Sequence, residues 1–261
     1  MKTTMVIAWN TFHEAVRRRV FLVILIFGMI AIGNSNFFSF MSTGEEEKFI
    51  TDFGLGAILL SGMLISVFLG AYLIPTEIER KTIFTILAKP VDRLHFFLGK
   101  FLGVIMTVLV NVGMMGIVFL LAYFLKQRAV DQHIGMTMIN LVKALILIYV
   151  ELVVLCSIAI TVSVVASIAF NIVLTMFIYF AGHISSSFQH LIEHTEQAWV
   201  EAVLRITYFF IPKLDNFDVR ERLLVGEPVG LDYMLPTLGN AAIFIMIALL
   251  LGYLFFYDKE F

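Results

Sequence analysis

Residues 75–100 read PTEIERKTIFTILAKPVDRLHFFLGK and form the most highly charged part of an otherwise apolar chain. This stretch lies between two uncharged blocks, residues 53–76 and 101–125. Each block has the length of a membrane span, because roughly 20 apolar residues in a helix cross the hydrocarbon core. We therefore expect residues 75–100 to connect two transmembrane helices outside the bilayer.

The composition of the 261-residue chain is that of a membrane protein. Hydrophobic residues make up 60% of it, charged residues 15%, and the mean hydropathy is +0.95, far from the balance of a soluble domain. Blocks without Asp, Glu, Lys or Arg cover residues 20–44, 53–76, 101–125, 152–192 and 233–257. The fourth block is too long for one span and, with residues 140–151 leading into it, holds most of two.

The number of blocks predicts the fold class. An open sheet edge or an irregular loop in lipid would leave backbone groups without hydrogen bonds. The sequence therefore predicts an all-α membrane protein with six transmembrane helices in a single domain, 1–261. We expect the fourth and fifth helices to be separated by a turn between Ser163 and Asn171.

The net charge and the cysteine content say little more about the function. A net charge of -2 gives no indication of nucleic-acid binding. The single cysteine, Cys156, lies in an apolar run and cannot form an internal disulfide. Residues 1–19 lack the apolar core of a cleavable signal peptide.

Residues 1–19 predict an amphipathic interfacial helix. The residues expected on its apolar face are Met5, Trp9, Phe12 and Val16. Three arginines, 17–19, precede the first span and place the N-terminus in the cytoplasm by the positive-inside tendency. A simple topology anchor and a helix that guides substrate or a partner both fit this pattern.

Within residues 75–100 the spacing predicts a short helix over residues 82–88. Ile83, Ile86 and Leu87 would form one apolar ridge, and Pro90 would stop the helix at the residue before it. A short rigid helix of this kind suits docking into a groove on a partner. Composition alone also fits an ordinary charged loop.

Several polar residues are candidates for a functional site. Asn111 lies near the middle of the third span, and Glu151 lies about 8 residues, roughly 12 Å of helix, beyond Lys143 in the fourth. An acid at that depth should face protein or water, be neutral, or have a partner. Both residues are therefore candidates for a transport route, beside the alternative of structural polar contacts.

Three histidines, His183, His190 and His194, would share one face of a continuous helix. They are weak candidates for a zinc or copper site, because no carboxylate or cysteine completes a ligand set. A membrane metal- or haem-binding redox subunit is therefore one alternative function. A second is a non-transporting scaffold that anchors an outer complex through an external segment, residues 188–232.

The chain resembles the permeases of ABC-2 type transporters, and among them the NosY-like group associated with multicopper-enzyme maturation. The residues that carry the resemblance are Glu14, Arg17 and Arg19, Glu77-Ile-Glu79-Arg80, Thr82-Ile83, Leu87-Ala88-Lys89-Pro90, Arg93, Gly99-Lys100, Gly182-His183, Leu214-Asp215-Asn216-Phe217-Asp218 followed by Gly226, and the terminal Phe256-Tyr257-Asp258-Lys259-Glu260-Phe261. Lys81 departs from the pattern, since many members have Gly there.

The resemblance implies a function and a set of partners. Residues 75–100 would be a cytoplasmic coupling loop that docks an ATPase. Its coupling residues would be Glu77, Glu79, Arg80, Thr82, Ile83, Ile86, Leu87, Pro90 and Arg93. We expect two ATPase subunits, which bind ATP and Mg, and two permease subunits as a homo- or heterodimer in the cytoplasmic membrane, with both termini inside. The sequence contains no phosphate-cradling loop, so we expect the chain itself to be no enzyme and to bind no cofactor. We expect residues 188–232 to be the segment that a periplasmic partner would contact.

Overall fold

The computed structural model describes residues 2–39, 46–79, 92–128, 134–185 and 211–258, together with positions 199, 201 and 205. Its helices are α1 (Lys2–Arg17), α2 (Arg19–Ser39), α3 (Glu46–Glu79), α4 (Arg93–Arg128), α5 (Ile134–Val165), α6 (Ile168–His183), the short α7 (Arg220–Val225) and α8 (Leu231–Asp258), with a 3₁₀ turn at Leu214–Phe217. These residues include no strand, so the all-α prediction is confirmed for them.

Four helices are long and apolar enough to cross a membrane: Lys48–Glu79, Arg93–Lys126, Met138–Val165 and Leu231–Asp258. Two further apolar stretches, Arg19–Asn34 within α2 and Ile168–His183, which is α6, are shorter. With 16 residues, α6 is about 24 Å long, less than the ~30 Å of the hydrocarbon core. The predicted count of six spans therefore stays a prediction for these two helices.

The centre of the bundle is the contact between α3 and α5. A Cβ at Gly70 would lie 2.5 Å from the Cβ of Ala159, and one at Gly62 would lie 2.2 Å from a methyl carbon of Leu152. Glycine at these positions lets the two helices approach closely, as small residues do in membrane bundles. Around this pair, α2, α4 and α6 pack on α3, while α8 packs mainly on α5.

The N-terminal helix packs against α4. A Cβ at Gly99 would meet Ile7 and Thr4, and one at Gly103 would meet Thr11 and Ala8. The contacts advance by four residues on both helices, so α1 and α4 run side by side in the same direction. Of the predicted apolar face, Met5 and Trp9 are exposed and remain available to lipid.

The predicted turn between the fourth and fifth helices is confirmed. Helix α5 ends at Val165 and α6 begins at Ile168. Asn171 on α6 then donates a hydrogen bond to the carbonyl of Ala159 at 2.8 Å, and Thr175 donates to the side chain of Asn171 at 2.9 Å. These buried bonds fix α6 against α5 immediately after the turn.

Candidate functional site

Helices extend into both ends of the 75–100 stretch, since α3 runs through Pro75 to Glu79 and α4 begins at Arg93. Glu77, Glu79 and Arg93 can therefore be placed. The other predicted coupling residues lie outside the described residues: Arg80, Thr82, Ile83, Ile86, Leu87 and Pro90. The short helix predicted over residues 82–88 lies outside them as well.

A buried ion pair joins the two helices at the base of this loop. Lys100 on α4 donates to the carboxylate of Glu77 on α3. The side chain of Lys100 is only 3% exposed and that of Glu77 is 15% exposed. Charged groups this far from water are stable only when paired, so the pair fixes the last turn of α3 against the second turn of α4.

Arg93 ties the start of α4 to the end of α8. Its guanidinium donates to the carbonyl of Tyr257 at 2.6 Å and to that of Phe256 at 3.5 Å. A cation at these carbonyls also opposes the negative end of the helix dipole. Beneath it, the ring of Phe256 stacks on that of Phe96. The third predicted coupling residue, Glu79, is exposed at the end of α3.

Glu151 is buried near the middle of α5 and is 1% exposed. Its Oε1 lies 3.4 Å from Nε2 of His183, the last residue of α6. No hydrogen bond to either Glu151 oxygen or to His183 Nε2 is formed among the described residues. Of the alternatives expected for an acid at this depth, the structure shows one that faces protein and lies beside a titratable side chain; a role in the transport route stays a prediction.

The partner lies there because α6 is short and ends at the level of Glu151. Residues 211–230, which we call the cap segment, then pack against this level of the bundle. A Cβ at Gly182 would lie 2.7 Å from the carbonyl oxygen of Pro212, so only glycine allows the chain to pass here. Ser185 donates to Asp215 at 2.6 Å, which fixes the cap segment to the end of α6.

An arginine in the cap segment connects two carboxylates. Arg220 Nε donates to both oxygens of Asp218 at 2.9 and 3.0 Å, and Nη1 donates to Asp52 on α3 at 3.3 Å. Burial raises the pKa of Asp218, but the hydrogen bonds and charge of Arg220 outweigh it, so the pKa lies below its ordinary value. The hydrogen bonds to Asp218 in turn raise the pKa of Arg220.

A cavity of about 10 Å³ lies between Glu151 and the cap segment. Asp218 and Arg220 line one side of it and Glu151 lines another. A water molecule needs roughly 10–15 Å³ measured in this way, so the space is about that of one water. Glu151 is thus separated from the Asp218–Arg220 pair by a gap of molecular size.

Asn111 has different neighbours. Ser61 on α3 donates to its side-chain oxygen at 3.4 Å, and its amide lies 3.7 Å from the sulfur of Met115. The residue is fully buried. The structure thus connects Asn111 to α3 and Glu151 to α6 and the cap segment, and no described contact joins the two.

The histidine cluster is only partly placed. His183 contacts Glu151, whereas His190 and His194 lie outside the described residues. In the part of the chain that the structure describes, no group of three His, Cys, Asp or Glu side chains is arranged to hold a metal ion. Because two of the three histidines are not described, the metal site stays a prediction.

Sequence reasoning missed several members of these sites. Lys100, Asp52, Asp218 and Arg220 were not among the candidates. A lysine inside an apolar helix needs a partner, so the position of Lys100 in the sequence was a signal that could have identified it. The Asp218–Arg220 spacing of two residues was also visible, but only the fold shows that both face Glu151.

Four helices of membrane-spanning length and apolar composition indicate a multi-pass membrane protein. Residues 16–182, more than half of the chain, match the family model described as ABC-2 family transporter protein. The chain therefore belongs to the ABC-2 transporter family and is a membrane permease subunit of an ABC transporter. No curated protein matches it. The match includes Glu151 and ends one residue before His183, so the cap segment lies beyond it.

Proposed function

We propose that this permease exports a substrate across the cytoplasmic membrane, driven by ATP hydrolysis in a separate ATPase subunit that docks on residues 75–100. The functional unit would be two permease subunits, identical or different, with two ATPases that bind ATP and Mg. The NosY-like pattern of the sequence favours cargo connected with copper-enzyme assembly. Both termini would then lie in the cytoplasm.

The observation that carries this proposal is the way the loop is fixed at its base. The Glu77–Lys100 ion pair holds α3 to α4, and Arg93 holds α4 to the end of α8. A force applied to the intervening residues would therefore reach three long helices at once. A loose linker would not require buried or partly buried charges at both of its ends.

This arrangement suggests how docking is converted into movement. Closure of the ATPases on ATP would push the predicted 82–88 helix, and the clamped base would transmit the push as a rigid body. The helices α3, α4 and α8 would then tilt relative to the partner permease. Because α1 packs on α4 at Gly99 and Gly103, the N-terminal helix would move with them.

Glu151 and Asn111 are the proposed polar positions of the transport route. Buried polar groups inside a membrane bundle are more often functional than those at its rim. Residues 188–232 would contact a periplasmic partner, because this external segment carries the polar residues of the cap. If Glu151→Gln left both assembly and transport-linked ATP hydrolysis unchanged, Glu151 would have no part in the route.

The test of the proposal is ATP hydrolysis by the complex reconstituted in vesicles. We expect Leu87→Asp, on the predicted ridge, to abolish the stimulation of hydrolysis by the permease. Leu231→Asp is the control, because Leu231 is 65% exposed at the start of α8, far along the chain from the loop. Equal stimulation in both variants would mean that residues 75–100 are a linker and do not dock the ATPase.

A further inference from the structure

The contact between Glu151 and His183 restricts where protons can lie. His183 Nδ1 is 3.3 Å from the carbonyl oxygen of Tyr179. A carbonyl oxygen only accepts hydrogen bonds, so this contact assigns a proton to Nδ1. The other ring nitrogen, Nε2, is the atom that faces the Glu151 carboxyl group at 3.4 Å.

One proton makes this contact favourable. If Glu151 is a carboxylic acid, its O–H faces the lone pair of Nε2. If Glu151 is a carboxylate, Nε2–H of an imidazolium faces it. In both forms the two side chains share a single proton and have no net charge, which suits a site where Glu151 is 1% exposed.

We propose that Glu151 and His183 form a binding site for one proton, and that the cap segment closes against the bundle only while the site holds that proton. This goes beyond the proposed transport function, since it concerns the isolated permease. The proton exchanges with water through His183, whose side chain is 20% exposed. Only an O–H or N–H bond forms or breaks in the exchange.

The packing of the cap segment explains the link. Phe217 and Val219 of the cap segment are 4% and 2% exposed and line the same cavity as Glu151. Loss of the proton would leave a carboxylate across the cavity from Asp218 and Arg220, whose opposite charges already neutralise each other. A second proton would leave a cation facing Arg220. Either change opposes closure by burying a net charge.

The charged and titratable groups around the site come from four elements. Those that act on it directly are Tyr179 on α6, whose ring centre lies 4.5 Å from that of His183, and Asp215, Asp218 and Arg220 in the cap segment. Behind them, Asp52 on α3 accepts from Arg220, and the hydroxyl of Tyr233 on α8 donates to the carbonyl of Asn216. Asp218 has a pKa below its ordinary value and Arg220 one above it. Both therefore keep their charge from about pH 5 to about pH 8.5.

Closure can be measured by labelling a buried cysteine in the cap segment. The full chain in nanodiscs would carry Cys156→Ala, which removes its single cysteine, and Val219→Cys. A water-soluble maleimide reaches position 219 only when the cap segment lifts. The matched control is Val225→Cys, because Val225 is 78% exposed in the same segment. The ratio of the two labelling rates cancels the pH dependence of the thiol reaction.

We expect the ratio to be lowest at an intermediate pH and to rise about tenfold or more toward both pH 5 and pH 8.5, since either pH would leave a net charge buried beneath the closed cap segment. Glu151→Gln should remove the alkaline rise, because its amide donates to Nε2 without a titrating proton. His183→Gln should remove the acid rise. The double variant should keep a low ratio across the range.

Two results would overturn the proposal. One is a ratio that stays flat across the pH range in the parent protein. The other is the same pH dependence in Glu151→Gln/His183→Gln as in the parent, which would place the titration on another group. If Glu151→Gln alone does not elute as a folded species in size-exclusion chromatography, His183→Gln still decides between these outcomes through the acid rise.

Discussion

Lys100 and Glu77 form a buried ion pair at the point where the chain leaves α3 and returns as α4. The two residues are 23 positions apart, and the stretch between them contains the predicted coupling helix. With Arg93 bound to the last carbonyls of α8, the pair makes the base of the loop one mechanical unit. The first prediction concerns the strength of this unit.

Removing one member of the pair should destabilise the protein strongly. Lys100→Met or Glu77→Gln should lower the free energy of unfolding by roughly 3 kcal/mol, the lower end of the range for a broken buried pair, because the Glu77 side chain retains some exposure. The double variant should recover most of the loss, since no unpaired charge remains. Unfolding in mild detergent measures each value.

The control for this experiment is Glu14→Gln on α1. Glu14 pairs with Arg18 at 2.7 Å, but its side chain is 43% exposed, and such surface pairs contribute about 0–1 kcal/mol. A loss in Lys100→Met no larger than that in Glu14→Gln would mean that the loop base is not held by its ion pair.

The second prediction concerns the close packing of α1 against α4. A Cβ at Gly103 would lie 2.5 Å from Thr11 Cβ and 2.8 Å from the carbonyl oxygen of Ala8. Gly103→Ala should push α1 away, lower stability by about 1–3 kcal/mol and speed trypsin cleavage at the arginines of residues 17–19, because the backbone there would no longer be held against α4.

Gly113 provides the comparison on the same helix. A Cβ there has no neighbour within 4 Å, so Gly113→Ala should be neutral or stabilise by up to about 1 kcal/mol through helix propensity. Equal trypsin cleavage and equal stability in the two variants would show that α1 does not depend on this close approach.

The third prediction uses the lowered pKa of Asp218. A carboxylate of this kind contributes stability above its unfolded pKa and loses it as the pH falls through the lower folded pKa. In Arg220→Gln, burial acts on Asp218 without an opposing cation, so the folded pKa should rise. Once it lies above the unfolded value, the sign of the linkage reverses, so the cap segment should open as the pH rises through that pKa, whereas with Arg220 in place it opens as the pH falls.

Labelling of Val219→Cys measures this shift, in the Glu151→Gln/His183→Gln background where the proton site is absent. Arg222→Gln is the control, because Arg222 lies over the ring of Tyr233, 4.2 Å from its centre. An acid midpoint for opening that is the same in Arg220→Gln and Arg222→Gln would contradict the assigned role of Arg220.

The sequence predicted the long helices more completely than the contacts that their side chains make. Uncharged blocks are set by the thickness of the membrane, so the long helices and the burial of Glu151 followed from counting. The contact with His183 depends on α6 ending after 16 residues, and hydropathy does not indicate that end. The buried face of α1 was also missed, since Ala8 and Thr11 contribute little to an amphipathic pattern but fit against Gly103.

The most direct measurement of the central claim is the set of proteins that co-purify with the tagged chain in mild detergent. We predict that a nucleotide-binding ATPase subunit co-purifies with the parent protein and does not co-purify with Leu87→Asp. The parent protein and the variant should both elute as folded species. The absence of any nucleotide-binding subunit from the folded parent protein would contradict the proposal that residues 75–100 dock an ATPase.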